Sequence, residues 1–251
     1  MQSAVFRGGG DASAYETIVG SGRDALLCRY FTGRRHLDAQ DQLTLEFAGV
    51  YRHYHACMMR TICIGTPPAR QLKMFDVARE ALAACEAAMS PGAPMSDVFD
   101  AHARVIDAHG MSEHRLNACG YSLGTTFAPN WMDWPMFYAG NPTIMRPGMT
   151  FFLHMIIFDS EAGLAMTLGR TSLVTATGAE LAGERTQRTP LPAGATRTRD
   201  VTLHAPRLGE ATVRLLLDIL DGHMREIVSV TLPHALIVRA STGPPPTART
   251  P

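Results

Sequence analysis

The stretch LTLEFAGV, residues 43–50, alternates between two kinds of side chain. The odd positions carry Leu43, Leu45 and Phe47, and the even positions carry Thr44, Glu46 and Ala48. A period of two is typical of a strand with unlike faces, so the pattern predicts a strand here.

Residues 53–64 form the second predicted strand of this region. If the two strands pair as a hairpin that turns at Tyr51 and Arg52, Glu46 lies opposite Cys57 and Ala48 opposite His55. Cross-strand partners share a face of the sheet. The hairpin is therefore expected to gather four polar side chains on one face: Glu46, His53, His55 and Cys57.

A different period marks two helices. Residues 68–89 are rich in Ala, Leu, Arg and Glu, and Pro91-Gly92 is expected to stop the helix. Its apolar residues at helical spacing are Leu72, Phe75, Ala78 and Leu82. A second helix is predicted from Ser96, as N-cap, to Gly110. Its predicted inward-facing residues are Val98, Phe99, Val105 and Ile106.

Three apolar segments, 150–158, 163–168 and 171–177, predict further strands, so the expected fold class is α/β (α+β) with a mixed sheet packed against helices. Residues 1–14 are expected to be a flexible start and 15–183 the folded domain. The Thr/Arg/Pro-rich stretch 184–203 is typical of a linker. Residues 204–242 predict a helix followed by short strands, and 243–251 a disordered end.

Composition narrows the class of protein. The 251 residues carry 23 basic and 23 acidic side chains, scattered along the chain, which argues against nucleic acid as a partner. The five cysteines form no CxxC pair, so neither a disulfide framework nor a thiolate zinc knuckle is indicated. The start lacks the pattern of a signal peptide and no apolar run is long enough to span a membrane. We therefore expect a cytoplasmic protein.

The motif His53-x-His55-x-Cys57 has two interpretations. Side chains at every second position of a strand, with Glu46 beside them, can bind zinc or iron. They can equally be hydrogen-bonded walls of a pocket, and the residues themselves leave both open.

Two further features can carry chemistry. Trp131 and Trp134 lie in an aromatic-rich stretch, residues 115–138, which fits either a wall for a cationic ligand or an ordinary cover of the core. His154 interrupts an apolar strand. It is either a satisfied core histidine or, with a partner such as Glu46, a general base.

The chain resembles the pita-bread superfamily, which includes methionine aminopeptidases, prolidases, creatinase and ectoine-hydrolase-like enzymes. The resemblance spans about residues 15–183. Four stretches carry it in order: SGRDALLCRYFTGRRHLDAQDQLTLEFAGVYRHYHACMMRT, ACGYSLG, RPGMTFFLHM and GRTSLVTATGAEL. It implies a curved mixed sheet with covering helices. At the five places where the family's metallopeptidases carry metal ligands, this chain has Glu46, Cys57, Tyr121, His154 and Gly169, and a further family histidine corresponds to Arg29.

These substitutions imply a site without metal and without another cofactor. By resemblance to creatinase-like enzymes, His154 is expected to be the general base, oriented by Glu46, with Tyr121 or Arg170 as the oxyanion donor. His55, Cys57, Trp131 and Trp134 are expected to contact the substrate. Replacing His154 by Ala is then expected to abolish turnover and leave the fold intact.

The expected function is hydrolysis of a small amide, amidine or imino-peptide C–N bond, with a small-molecule or dipeptide-like substrate and a homodimeric assembly. The alternative is a non-catalytic relative that binds a ligand or a partner. The last 45 or so residues resemble the end of LacI-type transcriptional regulators, without the DNA-binding part. Family members usually carry a longer N-terminal region, so a natural fusion or an incorrectly bounded gene is also expected.

Overall fold

The computed structural model describes residues 1–30 and 35–181. Eight strands and three helices make up this part, together with two short 3₁₀ turns. The helices are α1 (Gln2–Arg7), α2 (Ala69–Ala88) and α3 (Met95–Ala108). The strands are β1 (Ile18–Ser21), β2 (Asp41–Tyr51), β3 (Tyr54–Ile64), β4 (Ala118–Leu123), β5 (Asp133–Tyr138), β6 (Thr150–Asp159), β7 (Leu164–Thr175) and β8 (Gly178–Leu181).

All eight strands belong to one sheet in the order β1-β2-β3-β7-β6-β4-β5, with β8 paired to β7. The predicted fold class is confirmed: helices pack against one face of a curved sheet. The expected mixture of strand directions is not found, since every pairing in the described residues is antiparallel. Short hairpins, which join antiparallel neighbours, connect β2 to β3, β6 to β7 and β7 to β8.

The β2–β3 hairpin is confirmed, but its predicted register is wrong. The turn consists of Arg52 and His53, with φ of 49° and 63°, as a two-residue hairpin turn requires. Moving the turn by one residue moves every pairing by two, so Glu46 lies opposite Met59 and Ala48 opposite Cys57. A shift of two preserves the face, because side chains alternate with a period of two.

The two helices occur where they are predicted, with different details at their ends. Ser96 is not the N-cap of α3, because the helix begins at Met95 after Pro94. Its first backbone N–H groups are satisfied by a loop: Met95 donates to the Thr143 carbonyl at 2.8 Å and Ser96 to that of Asn141 at 3.0 Å. A tertiary contact therefore replaces the side-chain cap.

Two other predictions need correction. The segments 163–168 and 171–177 are one strand, β7, because Gly169 and Arg170 continue the pairing with β6. The expected flexible start contains α1, whose Ala4 and Val5 are buried. The predicted linker, the helix-and-strand tail and the disordered end all lie outside the described residues, as does the LacI-like stretch.

The pairing between β3 and β7 is short. Its ladder covers only Met58–Arg60 against Leu168–Arg170. Threonine hydroxyls link the strands on both sides: Thr61 Oγ1 lies 3.1 Å from Thr167 Oγ1, and Thr171 Oγ1 accepts from the Cys57 N–H at 2.9 Å. We call this region the β3–β7 seam. Because threonine hydrogen bonds replace part of the backbone hydrogen bonding between β3 and β7, the two halves of the sheet can lie at an angle to each other.

The sheet separates two apolar cores. The larger one, between the sheet and α2 and α3, includes Met74, Val98, Phe151 and Leu168. Arg170 faces this side too, where its guanidinium binds the Glu86 carboxylate of α2 through two nitrogens at 2.5 and 2.6 Å. None of the helices in residues 1–30 and 35–181 is long and apolar enough to cross a membrane.

The Arg170–Glu86 pair yields a stability prediction. Both side chains are largely buried, and removing one partner of a buried ion pair leaves a desolvated charge, so Glu86→Ala is expected to lower the free energy of unfolding by about 3 kcal/mol. Urea denaturation followed by circular dichroism measures the change.

The matched control is Glu80→Ala on the same helix. Glu80 pairs with His109 at 3.0 Å, but both side chains are well exposed, so its loss is expected to cost less than about 1 kcal/mol. Equal costs for the two variants would contradict a stabilising role for the buried pair.

Candidate functional site

The face of the sheet opposite the helices carries two adjacent rows of side chains. One row runs from Glu46 through Met59 and Gly169 to His154, each opposite the next on neighbouring strands. The second row is Ala48, Cys57, Thr171, Phe152 and Tyr121. The antiparallel register therefore gathers on one face the positions that the family resemblance singles out.

A hydrogen-bonded chain crosses this face. The Tyr121 hydroxyl donates to Glu46 Oε1 at 3.3 Å and accepts from Trp131 Nε1 at 2.9 Å. The Trp131 ring packs edge-on against Tyr15, with centroids 5.5 Å apart. Glu46, Tyr121 and Trp131 are each at most 6% exposed. We call these three residues the Glu46–Tyr121–Trp131 chain.

Burial dominates the electrostatics of the site. Desolvation raises the pKa of Glu46 from 4.5 to about 7, although the Tyr121 hydrogen bond and the nearby Arg29 charge oppose the shift. Burial likewise raises the pKa values of the Cys57 thiol and the Tyr121 phenol well above their ordinary values. At neutral pH the face thus holds a protonated thiol, a protonated phenol and a carboxyl close to its midpoint.

His154 does not have the predicted partner. Its Nδ1 is buried without a hydrogen bond in the described part of the chain, and the Glu46 carboxyl instead accepts from Tyr121. The ring lies near those of Phe152 and Tyr121, with centroids 5.8 and 5.6 Å away. Because burial lowers the pKa of His154 to about 4, the imidazole is neutral at pH 7.

The two hairpin histidines differ in role. His53 lies in the turn and is exposed, so it does not join Glu46 and Cys57 as predicted. His55 is buried on the expected face, but its ring nitrogens bind the protein itself. Nε2 accepts from the Ala14 N–H at 3.0 Å and Nδ1 lies 2.9 Å from the His53 carbonyl oxygen. His55 therefore connects the N-terminal segment to the hairpin, and both of its ring nitrogens are used by contacts within the protein rather than by a substrate.

Two other predicted site residues lie elsewhere. Arg170 points to the helix side of the sheet, because strand neighbours alternate and Gly169 occupies the site face. Trp134 is 65% exposed and packs near Tyr138, away from the Glu46–Tyr121–Trp131 chain. Of the two tryptophans, Trp131 belongs to the Glu46–Tyr121–Trp131 chain and Trp134 does not.

The five positions do not fit a pair of divalent ions. Such ions need several converging, deprotonated donors. Here Gly169 has no side chain, and a Cβ built on it would meet the Phe152 ring at 2.7 Å, so that ring covers the position. The Cys57 thiol stays protonated and the Tyr121 hydroxyl is bound to Glu46. No group of three or more His, Cys, Asp or Glu able to hold a metal ion occurs in residues 1–30 and 35–181.

Sequence reasoning missed Tyr15 and Phe152. Phe152 precedes His154 by two residues, and side chains two residues apart in a strand lie on the same face of the sheet. Tyr15 lies in an irregular segment, where no periodicity indicates its contact with Trp131. Strand alternation could therefore have indicated Phe152, whereas only the folded chain brings Tyr15 to the site.

The chain is similar to one described protein family and to several curated proteins. The family described as metallopeptidase family M24 matches residues 1–176. Among curated proteins, ectoine hydrolase from Halomonas elongata is 28% identical over 173 residues, which are 68% of this chain and 43% of the relative. Xaa-Pro dipeptidase from Pyrococcus furiosus is 22% identical over 172 residues, 68% of this chain and 48% of the relative. The chain thus spans about half the length of these relatives.

Solved structures show the same fold. Dipeptidase PepE from Mycobacterium ulcerans aligns with a TM-score of 0.65 and 24% identity, covering 70% of this chain and 46% of PepE. Prolidase from Pyrococcus furiosus aligns with a TM-score of 0.63 and 21% identity, covering 68% of this chain and 50% of the prolidase. Both alignments support the pita-bread architecture of the described sheet.

The raised pKa of Glu46 predicts a pH-dependent stability difference. Between pH 4.5 and about 7 the unfolded chain releases this proton while the folded chain keeps it, so Glu46 destabilises the fold increasingly as pH rises. Glu46→Gln, which is neutral in both states, is expected to gain up to about 3 kcal/mol relative to wild type over this range. Unfolding free energies from urea titrations at pH 4.5, 6, 7 and 8 measure the difference.

The same series with the exposed Glu113→Gln is the control, and its difference from wild type is expected to stay flat. If the Glu46→Gln and wild-type curves ran parallel across the range, the pKa of Glu46 would be close to its ordinary value.

Proposed function

The chain belongs to metallopeptidase family M24, and on that premise we propose that it is a hydrolase that cleaves a small C–N bond without a bound metal. The bond is an amide, an amidine or an imino-peptide bond. The observation that carries the proposal is the hydrogen bond between Glu46 and Tyr121 at the centre of the family's site face. It joins a carboxyl that can exchange a proton near pH 7 to a hydroxyl that can donate to an oxyanion.

The proposed chemistry needs two groups in reach of one carbonyl. In its ionised form, Glu46 accepts a proton from water as the water oxygen bonds to the carbonyl carbon. In this step the Tyr121 hydroxyl gives up its hydrogen bond to Glu46 Oε1 and donates to the oxygen that becomes negative, while Trp131 Nε1 keeps the phenol oxygen in place. Glu46 then returns the proton to the leaving nitrogen, the C–N bond breaks, and the carboxyl is again ionised.

The other polar side chains support this assignment in modified roles. His154 is neutral with a free Nδ1 in the described residues, so we assign it to accept a hydrogen bond from water or from a substrate N–H rather than to act as the principal base. Cys57 stays protonated because of its burial, which argues against a thiolate nucleophile.

The named activities of two relatives support the substrate class that we propose. The curated proteins that the chain resembles are named Xaa-Pro dipeptidase and ectoine hydrolase. A dipeptide-like or cyclic amidine substrate is therefore the class that we propose, with a homodimer as the assembly. Because Glu46 is buried beneath Trp131 and Tyr121, both rings must shift for such a substrate to reach it.

The second candidate is a non-catalytic relative that kept the fold and lost the reaction. The specific observation in its favour is the dense packing of the site. The Phe152 ring covers Gly169, and Glu46, Cys57, Tyr121, Trp131 and His154 are each at most 7% exposed. A protein of this kind uses the former site face as a second core.

Turnover assays separate the two candidates. The purified chain is incubated with Xaa-Pro dipeptides, ectoine and creatine, with and without chelator, and products are followed by mass spectrometry. The proposed enzyme hydrolyses at least one of them equally in both conditions. Glu46→Gln is expected to lower kcat by about a hundredfold or more, the contribution typical of a general acid–base group.

Glu113→Gln, an exposed substitution of the same kind, is expected to keep wild-type kcat. Absence of turnover on all three substrate classes would favour the non-catalytic relative. Turnover that the chelator abolishes would contradict the metal-independent mechanism.

Metal binding has its own prediction, independent of activity. Because the five positions lack a converging donor set, Mn²⁺, Co²⁺ and Zn²⁺ are each expected to leave the melting temperature within about 1 °C of the metal-free value, since only a ligand that binds the folded state raises it. Equilibrium dialysis followed by elemental analysis provides the stoichiometry. A stoichiometric ion that Glu46→Gln removes would contradict the prediction.

A further inference from the structure

A cleft of about 270 Å³ lies between the N-terminal segment and β2. Its walls come from α1, from residues 11–17 and from Phe47 and Ala48 of β2. Strand β1 pairs with β2 only as far as Glu46, so the next residues of β2 have no neighbouring strand on that side. The cleft occupies this gap, beside the candidate site but apart from the Glu46–Tyr121–Trp131 chain.

Polar groups that accept hydrogen bonds line the cleft. Ser13 Oγ is buried and has no hydrogen-bond partner in the part of the chain that the structure describes. Asp11 uses Oδ2 to accept from the His53 N–H at 3.2 Å, which leaves Oδ1 for another donor. Glu16 is exposed. None of the described lining residues has a basic side chain, and the α-amino group of Met1 is the one cationic group that these residues carry in the given chain.

The backbone of β2 adds a further acceptor. Tyr51 and Tyr54 flank the two-residue turn, so odd-numbered residues of β2 bond to β3 and even-numbered ones face the opposite edge. The Val50 carbonyl illustrates this by accepting from the Asp11 N–H at 2.9 Å. By the same alternation, the Ala48 carbonyl faces the cleft.

Gln2 and Thr17 are the other polar residues of the lining, and the remaining residues are apolar or aromatic. Val5 of α1 and Phe47 contribute hydrocarbon surface, and Met1 packs against Phe47. A ligand that fits this cleft therefore needs a hydrogen-bond donor with positive charge at one end and a short apolar body.

We propose that the cleft binds a primary ammonium group carried on a short alkyl chain. An ammonium has three N–H donors and no acceptor, which matches a lining of carboxylates, a hydroxyl and a carbonyl. The apolar body lies against Val5 and Phe47. The proposal is independent of whether Glu46 catalyses a reaction.

The fluorescence of Trp131 can report whether the cleft is occupied. Tyr15 lines it and packs edge-on against Trp131, with centroids 5.5 Å apart. The chain contains two tryptophans, and the other, Trp134, is 65% exposed. In a Trp134→Phe background, the fluorescence of Trp131 alone follows occupancy of the cleft through Tyr15.

The test uses n-butylammonium as the probe and 1-butanol as its neutral isostere. In the Trp134→Phe protein, butylammonium is expected to change Trp131 emission saturably, and calorimetry checks the stoichiometry of one. Asp11→Asn or Glu16→Gln is expected to weaken binding by about tenfold, the loss typical of one hydrogen bond to a charged group. 1-Butanol carries no charge. Its affinity for the Trp134→Phe protein is therefore expected to be no higher than the affinity of butylammonium for the Asp11→Asn or Glu16→Gln variant.

The control variants are Glu46→Gln and the exposed Glu161→Gln, which are expected to keep wild-type affinity, and circular dichroism verifies that each variant is folded. The proposal would be overturned by an absence of saturable binding, by equal affinity for the amine and the alcohol, or by unchanged affinity in the Asp11→Asn/Glu16→Gln double variant. Loss of binding in Glu46→Gln would instead place the ammonium at the candidate catalytic site, and would overturn it too.

Discussion

The hydrogen bond between Tyr121 and Glu46 sets the shape that the rest of the site depends on. Their strands, β4 and β2, lie four pairings apart in the sheet, which in a flat sheet is roughly 19 Å. Side chains of this length cannot cover that distance, yet their oxygens are 3.3 Å apart. The sheet must therefore curve until its two halves face each other. The short β3–β7 seam, with its threonine links, lies midway between them.

The curvature also explains the electrostatics of this face. Opposed strands exclude water from the space between them, and the family's ligand positions become the interior of a small core. Loss of hydration disfavours the charged form of each buried group. The pKa of the Glu46 carboxyl therefore rises, and the pKa of the His154 imidazole falls. A bound metal ion would normally balance buried carboxylates, whereas here aromatic rings and a phenol take the space.

Much of the fold could be predicted because it depends on local periodicity. The period-two pattern of residues 43–50 and the helical pattern of 68–89 correspond to β2 and α2. One error came from a contact that is distant in sequence, and another from the alternation of neighbours within a strand. Ser96 is a good capping residue, but loop carbonyls of Asn141 and Thr143 already satisfy the first turn. Arg170 was placed at the site by its closeness to Gly169, although neighbours in a strand face opposite ways.

The candidate site, like the fold, could be predicted only in part. Strand alternation predicts that Glu46 and Cys57 share a face, and the family resemblance adds Tyr121 and His154; the register of the sheet places all four on one face. Their partners were not predicted, since no pattern connects Glu46 with a tyrosine 75 residues away or Ala14 with His55. The sequence by itself determined strands β2, β3 and β6, the two long helices and the family. Only the tertiary structure decided which polar atoms pair, because pairing depends on the curvature of the sheet and on burial, which belong to the whole folded chain.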